Sequence, residues 1–188
     1  MIPYGTFTFF LIAFIVLIPV IILGFLGKRS YIYNGISTAI MIVIIFASDK
    51  HNLLGQKYLS AQLFCFIIYV IWQVALIMYY YQSRQKKNTF TKFVTIMVLS
   101  ILPLAIVKIL QSSWLGGHQI HFHESKLIEF VGFLGISYVT FKSVQLIMEI
   151  RDGSIKEIKV GKLIQFISFF PTISSGPIDR YKRFVKED

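Results

Sequence analysis

The sequence is poor in cysteine and in acidic residues, and both shortages limit what the protein can be. Its single cysteine, Cys65, lies inside an apolar run, so no disulfide can form within the chain. Nineteen Lys and Arg residues are set against nine Asp and Glu, which gives a net charge of +10. No basic stripe is interleaved with a nucleic-acid-binding fold. We therefore exclude nucleic acid as a partner and assign the basic residues to loops between apolar segments.

The sequence also lacks the short motifs of several enzyme classes. It contains no Gly-rich phosphate loop, no zinc-protease histidine pair and no nucleophile elbow. His121 and His123 have a spacing that places both on one side of an extended segment, but no fourth metal ligand accompanies them and His118. We predict no metal site and no bound cofactor. No residue of the chain is assigned a catalytic role.

Long apolar runs dominate what is present. Hydrophobic residues make up 55% of the chain and aromatic residues 16%, and the mean hydropathy is +0.68, more than a soluble domain of this length needs. A membrane helix requires roughly 20 apolar residues. The runs predict an all-α, multi-pass membrane protein whose residues 1–188 form part of one membrane domain. We place about five spans, near 7–27, 31–47, 58–81, 93–110 and 127–150.

The first apolar run, 7–27, is compatible with a membrane span or with a cleavable signal peptide. A signal peptide has basic residues before its apolar stretch. Here Lys28 and Arg29 follow the run instead. We predict that the run is retained as a membrane helix.

The distribution of basic residues predicts the orientation, because cytoplasmic loops carry an excess of Lys and Arg. Loops 28–30, 82–92 and 151–162 hold two, four and four basic residues. Loops 48–57 and 111–126 hold two and one. We predict a multi-pass protein of the cell membrane whose N-terminus lies outside and whose residues 151–162 lie in the cytoplasm.

The fifth span is more polar than the others. Lys142, Gln145 and Glu149 follow one another at helical spacing, so they lie on one face of the helix. An ionisable residue at the depth of Lys142 is a candidate for function. The polar face either lines a water-filled cavity or packs against other helices. Gly132 and Gly135, one turn apart, favour close packing with another helix.

The segment 160–178 is interrupted. Residues 160–170 are too few to cross a bilayer and end at Pro171, so we predict a re-entrant or interfacial segment. A polar stretch follows at once, and backbone freed from a helix near bilayer depth needs partners in protein or water. We predict that this stretch lines a pathway, through residues Ser174, Ser175, Gly176, Pro177 and Arg180. Arg180 has an alternative role as a headgroup anchor together with Lys182 and Arg183.

Two motifs together resemble a known family. Gly135-Ile-Ser-Tyr-Val-Thr-Phe141 precedes Pro171-x-x-x-x-Gly-Pro-Ile-x-Arg-Tyr181. This combination resembles the membrane-bound O-acyltransferase family, and within it the group that transfers D-alanine to teichoic acids in Gram-positive bacteria. The resemblance is strongest over residues 130–184. Residues 1–126 match mainly by hydropathy and loop order.

The resemblance implies a funnel of membrane helices and an acyl transfer across a thin protein layer. The donor would be D-alanine, held as a thioester on the phosphopantetheine arm of a D-alanyl carrier protein. The acceptor would be lipoteichoic acid or an intermediate. The family's catalytic histidine is expected beyond residue 188, so this chain looks like an N-terminal part that is inactive alone. Ser174 to Pro177 and Arg180 would then line the path of the arm.

Two functions of other classes remain open on the sequence. Interrupted segments and polar helices also form substrate sites in transporters and flippases, and those proteins often carry a second interrupted segment. A non-catalytic membrane subunit is the other alternative. Replacing Ser174 or Gly176 would then harm assembly and activity equally, whereas an enzyme would lose activity with assembly spared.

Overall fold

The computed structural model describes residues 7–26, 31–47, 57–86, 89–111, 135–155, 157–169 and 180–187. Within these ranges all regular secondary structure is helical, which confirms the predicted all-α class. The described helices are α1 (Phe7–Phe25), α2 (Tyr31–Ala47), α3 (Lys57–Lys86), α4 (Phe90–Gln111), α5 (Ile136–Arg151), α6 (Val160–Ser168) and α7 (Tyr181–Glu187).

The first four helices lie where the apolar runs predict them, with ends that differ by a few residues. Helix α5 is shorter than the predicted span, since it begins at Ile136 and not at Leu127. Gly135 has a φ of 92°, a left-handed conformation that no right-handed helix continues through. Gly135 therefore marks the start of α5. Gly132 and the rest of 127–134 lie outside the described residues.

Two helices are long and apolar enough to cross a membrane, α3 over Leu63–Gln85 and α4 over Phe90–Ile109. Two shorter apolar stretches are Leu11–Leu23 and Ile32–Val43. Only 39% of the α3 window and 28% of the α4 window are buried in the protein. The exposed side of α3 consists of large apolar side chains such as Ile68 and Ile71. A lipid environment accounts for such a surface, whereas the core helix of a soluble protein would be mostly buried.

Helix α5 packs against both α3 and α4, and α6 packs against α2, α3 and α5. A buried polar network joins α3, α4 and α5. The Gln73 amide donates to the Tyr69 hydroxyl at 2.8 Å and to the Ser100 carbonyl at 3.0 Å. Its carbonyl oxygen accepts from the Ser100 hydroxyl at 2.7 Å. Tyr69 is 2.6 Å from the Thr140 hydroxyl of α5.

The hydrogen-bond directions in this network follow from its chemistry. Thr140 donates its only hydroxyl proton to the Ile136 carbonyl at 2.7 Å, so it accepts the proton of Tyr69. Tyr69 in turn accepts from Gln73. Every polar hydrogen atom of the Tyr69, Gln73, Ser100 and Thr140 side chains therefore has an acceptor. Such a satisfied network holds helices at a fixed rotation where apolar packing alone does not.

A Schellman motif ends α5. The amide of Ser154 donates to the Glu149 carbonyl at 3.1 Å, and the amide of Gly153 donates to the Ile150 carbonyl at 3.2 Å. Gly153 occupies the left-handed position with a φ of 76°. The sequence Asp152-Gly153-Ser154 thus turns the chain sharply at the end of α5. The next residues lead to α6.

We expect Gly153→Ala to destabilise the protein by about 1–2 kcal/mol, because an L-residue in the left-handed region is strained. A Cβ there would also lie 3.0 Å from Arg84 Nη2. Gly35→Ala is the matched control, since a Cβ at this position of α2 meets nothing within 4 Å. Denaturation in detergent micelles measures both. A Gly153→Ala protein that unfolds like Gly35→Ala would contradict the expected strain.

Helix α7 is attached to α6 by aromatic side chains. The ring of Phe166 lies 5.4 Å from that of Tyr181 and 5.4 Å from that of Phe184, both in edge-on arrangements. Phe169, just after α6, lies 5.7 Å from Phe184. Such pairs contribute roughly 0.5–1.5 kcal/mol each beyond their burial. They fix the start of α7, and therefore Arg180, beside the end of α5.

Candidate functional site

A cavity of about 370 Å³ opens between the end of α5 and the start of α7. Helix α5 and the Gly153 turn provide one wall, and residues at the start of α7 provide the other. The lining residues are Gln145, Met148, Glu149, Asp152, Ser154, Arg180 and Lys182. The cavity therefore exists only because the aromatic contacts of α7 bring two distant parts of the sequence together.

The cavity carries charges of both signs. Glu149 and Asp152 contribute carboxylates, and Arg180 and Lys182 contribute cations from the opposite wall. Gln145 donates a long hydrogen bond of 3.4 Å to Glu149 Oε1. Asp152 Oδ1 lies 2.9 Å from Arg151 Nε at the cavity edge. A ligand that carries both an anionic and a cationic group suits such a lining.

Lys142 belongs to the same face of α5 by sequence but not to the cavity lining. Its side chain is 2% exposed, and Nζ donates to the Phe166 carbonyl at 2.9 Å. That carbonyl is in the last turn of α6, where carbonyl groups have no partner within the helix and the helix dipole is negative. Nζ also lies 5.3 Å from the centre of the Phe166 ring. Lys142 therefore caps α6, the helix that leads directly into residues 170–179.

Comparison with known proteins gives one consistent result. A protein of Bacillus subtilis (strain 168) named teichoic acid D-alanyltransferase is 46% identical over all of this chain. Proteins of the same name from Lacticaseibacillus rhamnosus and Streptococcus thermophilus are 40% and 33% identical, each over 98% of this chain. The chain is homologous to teichoic acid D-alanyltransferases. This confirms the group that the two motifs indicated.

The match covers nearly all of this chain but only part of each relative. The chain spans less than half the length of the curated D-alanyltransferases it matches, 44%, 42% and 40% of the three relatives. No family model matches the chain. The homology nevertheless supports membrane character, in agreement with the apolar surfaces of α3 and α4.

The structure brings together part of the set of site residues predicted from the sequence. Gln145, Glu149 and Arg180 all line the cavity, whereas Lys142 is turned toward α6. The predicted pathway residues Ser174, Ser175, Gly176 and Pro177 lie outside the described residues. All four histidines do as well.

Several residues of this region were not selected by sequence reasoning. Asp152 and Ser154 line the cavity because the Schellman motif turns the chain beside it, and the Asp-Gly-Ser sequence was the available signal. The Tyr69 and Gln73 network was missed as well. Its signal was two polar residues four apart within an apolar run, a spacing that places both on one helix face.

Proposed function

We propose that this chain is the N-terminal part of a membrane-bound O-acyltransferase that transfers D-alanine to teichoic acid. The observation that carries the proposal is the similarity to D-alanyltransferases over the whole chain, at 46% identity to the Bacillus subtilis protein. The donor is D-alanine on the phosphopantetheine arm of a carrier protein in the cytoplasm. The acceptor is a hydroxyl of lipoteichoic acid, or of an intermediate that passes D-alanine on.

The reaction is an exchange of a thioester for an ester. The acceptor hydroxyl attacks the thioester carbonyl, the new C–O bond forms, and the C–S bond breaks to release the thiol of the arm. A general base takes the hydroxyl proton, and this proton finally resides on the thiol. We assign the base to a histidine beyond residue 188. Residues 1–188 would then provide walls of the path and not the catalytic group.

The cavity is the part of the described chain that we assign to the donor path. With the N-terminus outside, the Gly153 turn and the start of α7 lie on the cytoplasmic side, where the carrier protein would bind. Arg180 and Lys182 offer donors for the phosphate of the arm. Glu149 offers a carboxylate to the D-alanyl ammonium group as the loaded arm enters, before the phosphate at its other end reaches Arg180. Ser174, Ser175, Gly176 and Pro177 continue the path in this proposal.

D-alanine ester content of the cell wall tests the function. Two strains are compared, one whose only copy is this chain and one that carries the longer reading frame. We expect esters only with the longer frame, because the catalytic histidine is then present. If neither restores the esters, D-alanine transfer is wrong and the transporter alternative becomes the better account.

The same assay tests the role of Arg180. We expect Arg180→Glu in the longer frame to lower ester formation by at least about tenfold, since a charge-assisted hydrogen bond contributes roughly 1.5–3 kcal/mol. Arg183→Glu is the matched control, because Arg183 is exposed and is not among the residues lining the cavity. Equal losses in both variants, at equal protein levels, would make these residues headgroup anchors and remove Arg180 from the path.

A further inference from the structure

Consecutive tyrosines at the end of α3 have different environments. Tyr79 is 59% exposed, as expected for a residue of an interfacial aromatic belt. Tyr80 is 2% exposed and lies against Phe93, with 6.2 Å between the ring centres. Its hydroxyl is buried and has no hydrogen-bond partner within the described part of the chain. The belt accounts for Tyr79 and leaves Tyr80 unexplained.

Arg84 lies one helical turn beyond Tyr80, on the same face of α3. Its Nε is also buried and has no hydrogen-bond partner among the described residues. The guanidinium rests against Gly153, where a Cβ would be 3.0 Å from Nη2. Within the described ranges, two buried donors on the same side of the helix, from Tyr80 and Arg84, thus lack acceptors.

A second guanidinium completes the cluster. Arg151 lies with Cζ 4.7 Å from the centre of the Phe93 ring, the same ring that Tyr80 contacts. Arg84 contacts Gly153, two residues after Arg151, and Arg151 and Tyr80 share the Phe93 ring, so the three side chains lie at one end of the bundle. The Asp152 carboxylate is bound by Arg151 at 2.9 Å. With two cations and one carboxylate, the cluster has a net positive charge.

We propose that Tyr80, Arg84 and Arg151 bind a phosphate group. A buried donor without a partner costs about 1–3 kcal/mol, and a phosphate offers several acceptor oxygens and negative charge to all three side chains. A cation is unsuited, because the donors point hydrogen atoms at it. The proposal requires the half-buried Arg84 side chain to turn from Gly153 toward the incoming anion, which opens the Tyr80 hydroxyl to it. The phosphate is that of an anionic lipid headgroup or of a soluble phosphate.

Thermal unfolding of the full chain in nanodiscs distinguishes these sources. The discs contain phosphatidylcholine alone, phosphatidylcholine with phosphatidylglycerol, or phosphatidylcholine with inorganic phosphate in the buffer. A ligand that binds the folded state raises the unfolding temperature, and the rise grows with the logarithm of the ligand concentration relative to its dissociation constant. We expect the rise to be smaller when Arg84 or Tyr80 is replaced. Arg84→Gln should weaken the apparent affinity by about tenfold and Tyr80→Phe by roughly threefold.

Two control variants distinguish binding at a specific site from non-specific attraction of anions by the charged surface. Tyr79→Phe makes the same chemical change on the exposed neighbour of Tyr80. Lys92→Gln removes one exposed charge at the same end of the bundle, from a lysine that donates to Ser83 at 2.9 Å. Neither control should alter the rise. Without an anion, Tyr80→Phe should be as stable as the parent, because it removes an unsatisfied hydroxyl.

The outcomes are distinct. A rise with phosphatidylglycerol that depends on Arg84 and Tyr80 supports a lipid headgroup as the source. The same dependence with inorganic phosphate alone supports a soluble phosphate. The proposal is overturned if neither anion raises the unfolding temperature, if Tyr80→Phe leaves the rise unchanged, or if Lys92→Gln reduces it as much as Arg84→Gln. Because Tyr80→Phe keeps the aromatic ring, it remains informative even if Arg84→Gln fails to fold.

Discussion

Replacing Lys142 with alanine is expected to destabilise the protein by about 3–5 kcal/mol. The change removes the ammonium group that caps α6 at the Phe166 carbonyl, 2.9 Å away. It also removes a long side chain that is 2% exposed and so leaves a cavity between α5 and α6. Both losses act at the same contact, which makes this one of the largest single-residue effects that we expect. Unfolding in mixed detergent micelles, followed by tryptophan fluorescence, measures it.

Lys142→Met separates the two contributions, because methionine keeps most of the volume and cannot cap. We expect a smaller loss of about 1–2 kcal/mol, since removing a buried charge partly offsets the lost hydrogen bond. Lys108→Ala and Lys108→Met are the matched controls on exposed surface of α4. A Lys142→Met protein that is more stable than the parent would show that the cost of burying the ammonium exceeds the benefit of the cap.

Gln73→Leu is expected to destabilise the protein by about 2–3 kcal/mol. Gln73 makes three hydrogen bonds, two as donor and one as acceptor. Two of the three reach Ser100 on α4, and interhelical hydrogen bonds contribute roughly 0.6–1.7 kcal/mol each in membrane proteins. Leucine would also leave the Ser100 hydroxyl without its acceptor and the Tyr69 hydroxyl without the donor that it accepts from. The same unfolding assay measures the loss.

Gln82→Leu controls for the added apolar surface, since Gln82 is exposed on the same helix. Tyr69→Phe tests whether the network is continuous, because it removes the 2.6 Å link to Thr140 on α5. We expect it to cost less than Gln73→Leu, which removes three hydrogen bonds, two of them to Ser100 on α4. Equal stability of Gln73→Leu and Gln82→Leu would mean that the buried network contributes nothing to helix association.

Hydropathy predicted the positions of the first four helices well, because the apolar character of a helix is a property of consecutive residues. The run 31–47 coincides with α2, and the runs 7–27 and 93–110 differ from α1 and α4 by at most three residues at either end. Helix α5 begins at Ile136, inside the predicted span 127–150. The apolar character of 127–134 continues into it, whereas the start at Ile136 is set by the backbone conformation of Gly135, with its φ of 92°.

The sequence predicted only part of the candidate site. Helical spacing places Lys142, Gln145 and Glu149 on one face. It does not predict which helix each of these side chains will contact. The packing of α6 takes Lys142 away from the cavity, and the packing of α7 brings Arg180 to it. Arg180 and Glu149 are 31 positions apart in the sequence, so no local pattern connects them.

The sequence by itself determined the membrane class, the positions of most helices and, through its similarity to D-alanyltransferases, the homologous group. These depend on apolar runs and on residue identity, which are properties of the chain read in order. Only the tertiary structure decided how the polar residues are used. Lys142 became a helix cap, Gln73 the centre of a network and Tyr80 a buried donor. Each role depends on atoms from another helix, because burial makes a polar group seek a partner wherever the fold provides one.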